Sequence, residues 1–454
     1  AASLAAIRAP LVELGGRAWE SHGCQVCHGA HAEGGMGPVL AGGVPSFEIL
    51  RERVRRGSTV MPAFGPDRIG DDVLRDVHAW LLAQPKPRVS TFDLETIEVP
   101  DGVDVALVAR GLENPVTLAY RSGVTPESGV ELYVSTNGGW YPGPKARSGA
   151  IYRIDGRGNR HSFLDRLDRP MGMVWVGQKL YVSTRTQVSR FTDADGDGRG
   201  ELERVIVDEL PGRGMHHAGG LVLGPDRRLY LGMGTRTNAS TEGEAEHNGT
   251  ILSFGLDGED LQVFARGFRN PFDLAFAPDG ALFATDNAAD PPAIAAAVEE
   301  LNHVVSGAHY GHPFVLGDQV APGQEQRAEE LKPVAPVVKL PPHTSANGIL
   351  YYTGQQFPEL QGRWLIAEYG SHLKGYADAG RRISVVKDVR NGNPARPGGA
   401  SIETWARGFQ GRPLDLLQSP EGEVLVTDFF HGTILRFFKS NRRRERARSS
   451  KVPE

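Results

Sequence analysis

Cysteine is almost absent, with two residues in 454, at positions 24 and 27. A structural zinc site needs two further thiolate or imidazole ligands at regular spacing, and no second cysteine pair exists to supply them. No stretch approaches the roughly 18 apolar residues of a membrane span. Neither charge dominates: 50 Lys+Arg face 55 Asp+Glu, a formal net charge of -5, which gives no sign of nucleic-acid binding. The one basic run, Arg442-Arg443-Arg444-Glu445-Arg446-Ala447-Arg448, lies among Ser and Pro at the far end. It reads as a solvated, disordered tail, with an anionic surface or partner as the alternative. The start, Ala1-Ala2-Ser3-Leu4, has no basic n-region and no apolar h-region, as expected of a mature chain cut after a small-residue site.

What is present starts with those two cysteines, in Cys24-Gln25-Val26-Cys27-His28. C-x-x-C-H is the spacing for two thioether bonds to haem, with the histidine as proximal iron ligand. A thioredoxin-like motif would sit near a βαβ pattern, and none is readable here. For the sixth ligand there are two candidates, Met61 and Met36. Met61 lies in Gly57-Ser58-Thr59-Val60-Met61-Pro62-Ala63-Phe64-Gly65, which resembles the M-P-x-F ligand loop of small bacterial cytochromes c. Met36 stands close to the attachment site and is the fallback. Residues 11–22 lead into the motif, and Val73, Leu74, Val77, Trp80 and Leu81 recur at helical spacing after Asp71-Asp72. Residues 1–84 therefore read as a small all-α class I cytochrome c domain. Covalent haem attachment occurs outside the cytoplasm, so a periplasmic location is expected.

Residues 85–102, opening on Pro85-Lys86-Pro87, read as a linker. Beyond it a β-type hexamer recurs: Glu131-Leu132-Tyr133-Val134-Ser135-Thr136, Lys179-Leu180-Tyr181-Val182-Ser183-Thr184, Arg228-Leu229-Tyr230-Leu231-Gly232-Met233 and Ala281-Leu282-Phe283-Ala284-Thr285-Asp286. Looser copies start at Arg363 and Glu423, and Pro225-Asp226, Pro278-Asp279 and Pro420-Glu421 mark turns before three of the copies. Short strands at this period are the pattern of four-stranded propeller blades. The expectation is an all-β six-bladed β-propeller over residues 103–438, followed by the tail 439–454. A seven-bladed ring with one degenerate copy and an open sandwich are the alternatives. An insertion is expected in the Pro-rich stretch 311–343.

Three segments share one phase of the repeat: Gly214-Met215-His216-His217-Ala218, Gly267-Phe268-Arg269-Asn270-Pro271 and Gly411-Arg412-Pro413. A ring would aim them at one centre. Together with Glu300-Leu301-Asn302 and Gly307-Ala308-His309-Tyr310-Gly311-His312-Pro313, they resemble the soluble quinoprotein sugar dehydrogenases, which use pyrroloquinoline quinone (PQQ). Pro342-His343-Thr344-Ser345 and Ala367-Glu368-Tyr369-Gly370-Ser371 look most like the sorbosone-dehydrogenase branch. The resemblance implies His216 as the catalytic base, with His217 its competitor. It implies Arg269, Asn270 and Arg412 as PQQ-binding groups, each arginine having a structural salt bridge as its alternative role. An imidazole of near-neutral pKa suits proton abstraction, and guanidinium forks suit the carboxylates of PQQ.

The chain departs from the family at Gly234-Thr235-Arg236-Thr237-Asn238, where an acidic residue is usual. It departs again at Asp286-Asn287-Ala288-Ala289-Asp290-Pro291-Pro292, where a G-P step usually helps hold Ca²⁺. Lys374 matches the family's PQQ lysine poorly. A second calcium candidate is Asp193-Ala194-Asp195-Gly196-Asp197, the first half of an EF-type loop, although Arg204 stands where the bidentate Glu belongs. The expected activity is oxidation of a sugar, alcohol or aldehyde at PQQ. Electrons would pass to haem c and on to an external cytochrome or the quinone pool. A hydrolytic, lactonase-like or ligand-binding propeller serving a cytochrome is the alternative.

Overall fold

The structure, a computed structural model, describes residues 11–32, 40–41, 44–57, 61–85, 92–122, 129–138, 147–240, 246–290, 297–371, 376, 379–387, 389 and 400–440. Met36, Lys374 and the basic run 442–448 lie outside them.

Four helices come first: α1 (Val12–Ser21), α2 (Cys24–His28), α3 (Phe47–Arg56) and α4 (Asp71–Ala83). Asp71 and Asp72 fill the first turn of α4, where the helix dipole favours negative charge. The helix α1 crosses α4 closely at Gly15, where a Cβ would lie 2.0 Å from the Asp76 carbonyl oxygen. Beside that crossing Trp19 packs on Trp80 with ring centroids 5.1 Å apart. Sequence periodicity did not indicate α3. Its fully buried residues are only Leu50 and Val54, with Phe47 packed at the edge of the core, and its N-cap is Ser46, whose hydroxyl accepts the Ile49 N–H. These two residues join Trp19, Phe64, Leu74 and Leu81 in one core.

Six four-stranded antiparallel sheets follow, as the repeat count implies. The innermost strands of blades 1 to 6 are Pro115–Ser122, Met173–Val176, Ala218–Leu223, Pro271–Phe276, Ala346–Tyr352 and Pro413–Gln418. Each recurring hexamer overlaps the second strand of its blade, from Val130–Thr136 in blade 1 to Val424–Asp428 in blade 6. Blade 6 is completed by Val103–Arg110, which pairs with the last strand, Thr433–Lys439, and so closes the ring.

The recurring end of the hexamer has a mechanical cause. In blades 1, 3, 4, 5 and 6 the inner strand bulges after its first residue, as between Ala218 and Leu221. A bulge frees backbone groups that need new partners. Hydroxyls near the end of the second strand supply them across blade boundaries. Ser183 donates to the Gly219 carbonyl (2.8 Å), Thr285 to that of Asn347 (2.6 Å) and Thr427 to that of Val116 (3.0 Å). In blade 3 the position is Gly232, because a Cβ there would lie 2.2 Å from the Pro271 carbonyl oxygen. Asp273 and Asp415 act similarly from the inner strands, accepting the Ile349 and Leu118 N–H groups.

The insertion falls earlier than expected. It lies between the third strand of blade 4, Glu299–Val304, and its outer strand, Val338–Leu340, and carries the hairpin Val315–Leu316/Gln319–Val320 and helix α5 (Glu325–Leu331). Residues 338–340 are blade, not insertion, because Leu301 pairs with Val338.

Candidate functional site

The segments leading into the inner strands converge on a cavity of about 190 Å³ at the hub. His216, His217, Arg269 and Asn270 all line it. Alternation along a strand would let only one of the two histidines face the funnel. Both precede Ala218, where the strand begins, so that alternation does not apply to them. The His216 Nδ1 lies 3.0 Å from the Thr235 carbonyl oxygen, which makes Nδ1 the protonated nitrogen and Nε2 the basic one. His217 Nδ1 lies 3.1 Å from the Ala218 carbonyl oxygen. His216 and Asn270 meet over Gly234, where a Cβ would be 2.5 Å from His216 Cβ and 2.8 Å from Asn270 Oδ1. Burial, reinforced by the Arg269 charge, holds His216 well below the ordinary histidine value of 6.5. Burial also lowers His217, to about 4.

The two arginines are held by one device. At the end of its second strand, Asp286 accepts the N–H groups of Arg269 (3.0 Å) and Asn270 (2.6 Å), and Asp428 accepts that of Arg412 (2.9 Å). Their side chains diverge. The Arg269 guanidinium stays on the cavity wall, paired with Asp290 (2.7 Å) and donating to the Asn238 and Asn287 carbonyls. Arg412 is buried behind the wall and donates to the carbonyls of Tyr369 and Ser371, both at 3.1 Å. Gly370 between them has φ 95°, and a Cβ there would lie 2.6 Å from Arg412 Nη1.

Sequence reasoning missed the acidic half of the wall, Asp290 and Glu299, and its amides Asn137, Asn287 and Asn347. The available signal was Glu299, directly preceding Glu300-Leu301-Asn302. His343, Ser345 and Tyr369, noted only as branch markers, line the cavity too. Two buried wall atoms, Asn137 Oδ1 and Asn287 Oδ1, have no hydrogen-bond partner among the described residues. Such atoms are expected where a polar ligand belongs.

Burial pushes the Glu299 carboxyl from 4.5 up to about 8, although the Ala288 N–H bonds its Oε2 at 2.8 Å. A raised folded-state pKa means the unfolded chain gives up this proton first. The resulting stability is complete below pH 4.5 and lost as pH rises through about 8. Without divalent cations, the melting temperature of the propeller should fall across that window. Glu299→Gln should flatten the fall, as thermal unfolding in a pH series would register. An equally steep fall in the variant would exclude Glu299 as a source.

In the helical domain His28 is buried, and Cys24 and Met61 pack against the same core. The side chain of Cys27 lies outside the described residues. A positive φ of 63° at Gly57 brings its backbone against the Met61 loop, where a Cβ would be 2.8 Å from the Met61 carbonyl oxygen. Asp193, Asp195 and Asp197 sit on the hairpin between Val188–Thr192 and Glu201–Val207, outside the funnel, and can offer carboxylate oxygens within 4.8 Å of one another. Among the described residues no helix is long and apolar enough to cross a membrane.

Comparison with known proteins follows this division. Residues 11–81 match the family described as cytochrome C oxidase, cbb3-type, subunit III. Quinoprotein glucose dehydrogenase B of Acinetobacter calcoaceticus is 28% identical over 164 residues, covering 29% of this chain and only 33% of that protein. In fold the propeller is similar to the Trichoderma reesei enzyme of Carbohydrate-Active Enzymes Family AA12, at TM-score 0.60 and 17% identity over 76% of this chain and 98% of the other. It is also similar to the PQQ-bound aldose sugar dehydrogenase of Streptomyces coelicolor, at TM-score 0.54 and 20% identity over 75% and 99%. The ring and its funnel fall within residues 91–449, which match the family described as Domain of unknown function (DUF7133), and the chain belongs to that family.

Proposed function

We propose that the chain is a periplasmic quinohaemoprotein dehydrogenase that oxidises a sugar, alcohol or aldehyde in the funnel and passes the electrons to its own haem c. The observation that carries this reading is one cavity wall holding a neutral imidazole, a guanidinium, two carboxyls and orphaned amide oxygens. Bound there, PQQ would supply the two-electron acceptor; Cys24, Cys27, His28 and Met61 would hold a haem that carries electrons singly.

The chain's own groups then have distinct tasks. His216 Nε2 takes the proton of the substrate hydroxyl, and the Thr235 carbonyl keeps the ring in the tautomer that allows it. Arg269 and Asn270 face an anionic ligand, with the guanidinium plane oriented by Asp290 and Asn238. The wall also carries Asp290, paired with Arg269, and Glu299, whose proton burial retains up to about pH 8, so a polycarboxylate fits only while the first stays paired and the second stays neutral or is offset. Ca²⁺ held by Asn287, Asp290 and Glu299 would replace the Glu299 proton and offset both carboxylates, since it favours oxygen ligands. At the outer hairpin, Asp193, Asp195 and Asp197 would hold a purely structural ion.

Reconstitution tests the reading. Purified holo-cytochrome given PQQ and Ca²⁺ should show reduced-haem absorbance on addition of an aldose, alcohol or aldehyde, and each addition should be required. Absence of PQQ binding would favour a non-redox propeller served by the cytochrome.

A further inference from the structure

The wall of the funnel repeats with the ring. In every blade a residue just past the second strand donates its N–H to a carbonyl of the connection entering that blade's inner strand, at 2.9 to 3.2 Å. For blades 1 to 6 these residues are Asn137, Arg185, Gly234, Asn287, Tyr369 and Phe429. Four of them, Asn137, Asn287, Tyr369 and Phe429, line the cavity. In blade 3 the glycine leaves its space to His216 and Asn270, which line it instead. Arg185 holds the same position in blade 2, so a guanidinium stands where the other blades present amides or aromatic rings.

The surroundings of Arg185 are incomplete. It is 8% exposed, and Gly212 fixes it beside His217. A Cβ on that glycine would lie 1.6 Å from the Arg185 carbonyl oxygen and 3.1 Å from His217 Cβ. His217 itself lines the cavity. The Arg185 Nε is buried without a hydrogen-bond partner among the described residues. Its neighbouring carboxylate, Asp168, stands 3.6 Å away, with Oδ1 equally unbonded. Arg269, by contrast, has all three guanidinium nitrogens bonded. Arg169 brings a second cation, and both arginines help to keep the His217 imidazole neutral. Two arginines thus face one carboxylate at this corner. Buried polar groups are ordinarily bonded, and an unbonded guanidinium in a cavity wall marks the place of an anionic ligand.

We propose that Arg185, with His217 beside it, is a carboxylate-recognition site of the funnel, and that the substrate is an anionic sugar of the uronate type. The inference rests on the dehydrogenase reading. The order of groups around the ring favours the substrate over the cofactor as the source of the carboxylate. Arg269 and Asn270 enter blade 4, the base His216 enters blade 3, and Arg185 belongs to blade 2. A substrate whose hydroxyl meets His216, with its reacting carbon toward the Arg269 side, extends its far end toward Arg185. A guanidinium fork fits a carboxylate with two parallel N–H bonds. A neutral sugar would leave those buried donors unpaired, which is how a polar site rejects the analogue that lacks the matching group.

Two measurements on the full-length holoprotein test the assignment. The first is substrate-driven haem reduction after addition of PQQ and Ca²⁺. D-Glucuronate and D-galacturonate are set against D-glucose and D-galactose, which differ from them only in lacking the carboxylate. For at least one pair, kcat/KM should favour the uronate roughly tenfold or more. Arg185→Gln should collapse that ratio toward one, chiefly by raising KM for the uronate. Arg185→Lys, the variant to use should Arg185→Gln fail to fold, keeps the charge without the fork and should lose part of the ratio. Preference for the neutral sugars in wild type overturns the proposal, as does an unchanged ratio in the variants. The second measurement is calorimetric titration. Uronate should bind wild type without PQQ and lose roughly ten- to a hundredfold in affinity in Arg185→Gln. A matching fall in PQQ affinity would give the guanidinium to the cofactor's carboxylates and overturn the substrate assignment. If no sugar reduces the haem of wild type while uronate binding still depends on Arg185, the dehydrogenase reading fails and the anion site stands. Neutral aldoses that reduce the haem while uronates neither bind nor react would leave that reading intact and remove this one.

Discussion

His216→Ala should abolish substrate-driven haem reduction, lowering its rate by roughly 10² to 10⁴, the usual cost of losing a positioned base. Haem content and PQQ affinity should change little, because among the described residues the side chain bonds only to Thr235, and it fills the space above Gly234. The pH profile is the sharper readout. Burial and Arg269 disfavour the imidazolium, so His216 keeps its basic nitrogen as pH falls through 6.5. The acid limb of the wild-type profile should therefore lie below the ordinary histidine range, not at it. His217 shares the wall but stands toward Arg169 and Arg185, the charges that depress it after burial, away from the Gly234–Asn270 corner. His217→Ala should be the milder variant. Full turnover in His216→Ala with loss in His217→Ala would exchange the two roles.

Arg412→Ala should be the most destabilising funnel substitution, by about 3 kcal/mol, since each hydrogen bond from a charged donor contributes about 1.5 to 3 kcal/mol. The residue is only 4% exposed, and its guanidinium joins the Tyr369 and Ser371 carbonyls of blade 5 to blade 6 and lies over the Tyr369 and Phe430 rings. Removal would leave two carbonyls seeking partners behind the cavity wall. Arg269→Ala has a different balance, because its loss takes from Asp290 its guanidinium partner on the cavity wall, leaving His343 beside it, and should act chiefly on PQQ affinity. Thermal unfolding and PQQ titration on both variants separate these effects. An Arg412→Ala protein as stable as wild type, with PQQ affinity lost, would restore this arginine to the ligand.

The ring was legible because the hexamers carry more than strand propensity. Their Ser or Thr near the end is what the neighbouring bulge requires where blade 2 meets 3, 4 meets 5 and 6 meets 1, while blades 3 and 5 carry Gly232 and Ala367 at that position. Such local signals fail where the environment is made by the fold. Asp290 and Glu299 come from a loop and a third strand of blade 4, and only the folded blade brings them to face Arg269 and, from the next connection, His343. Arg412 and Arg269 occupy one phase of the repeat, yet their side chains part because Gly370 admits one guanidinium behind the wall while Asn238 and Asp290 draw the other onto it. The helix α3 shows the opposite limit, a short element whose two buried residues are too few to set a period.

Blade 6 is built from both ends of the propeller sequence, and contacts at its seam join residues 315 and 309 positions apart, Asn114 to Phe429 and Glu98 to Arg407. Contacts of such sequence separation form late in folding. During synthesis, the helical domain is complete while the ring still lacks its closing strands. The same seam fastens Phe92 and Glu98. Until the last strand arrives, the helical domain hangs from an open sheet stack, and the strands that complete the funnel also fasten the segment that carries it. Assembly thus has a built-in order, in which closing the ring and anchoring the helical domain are one event.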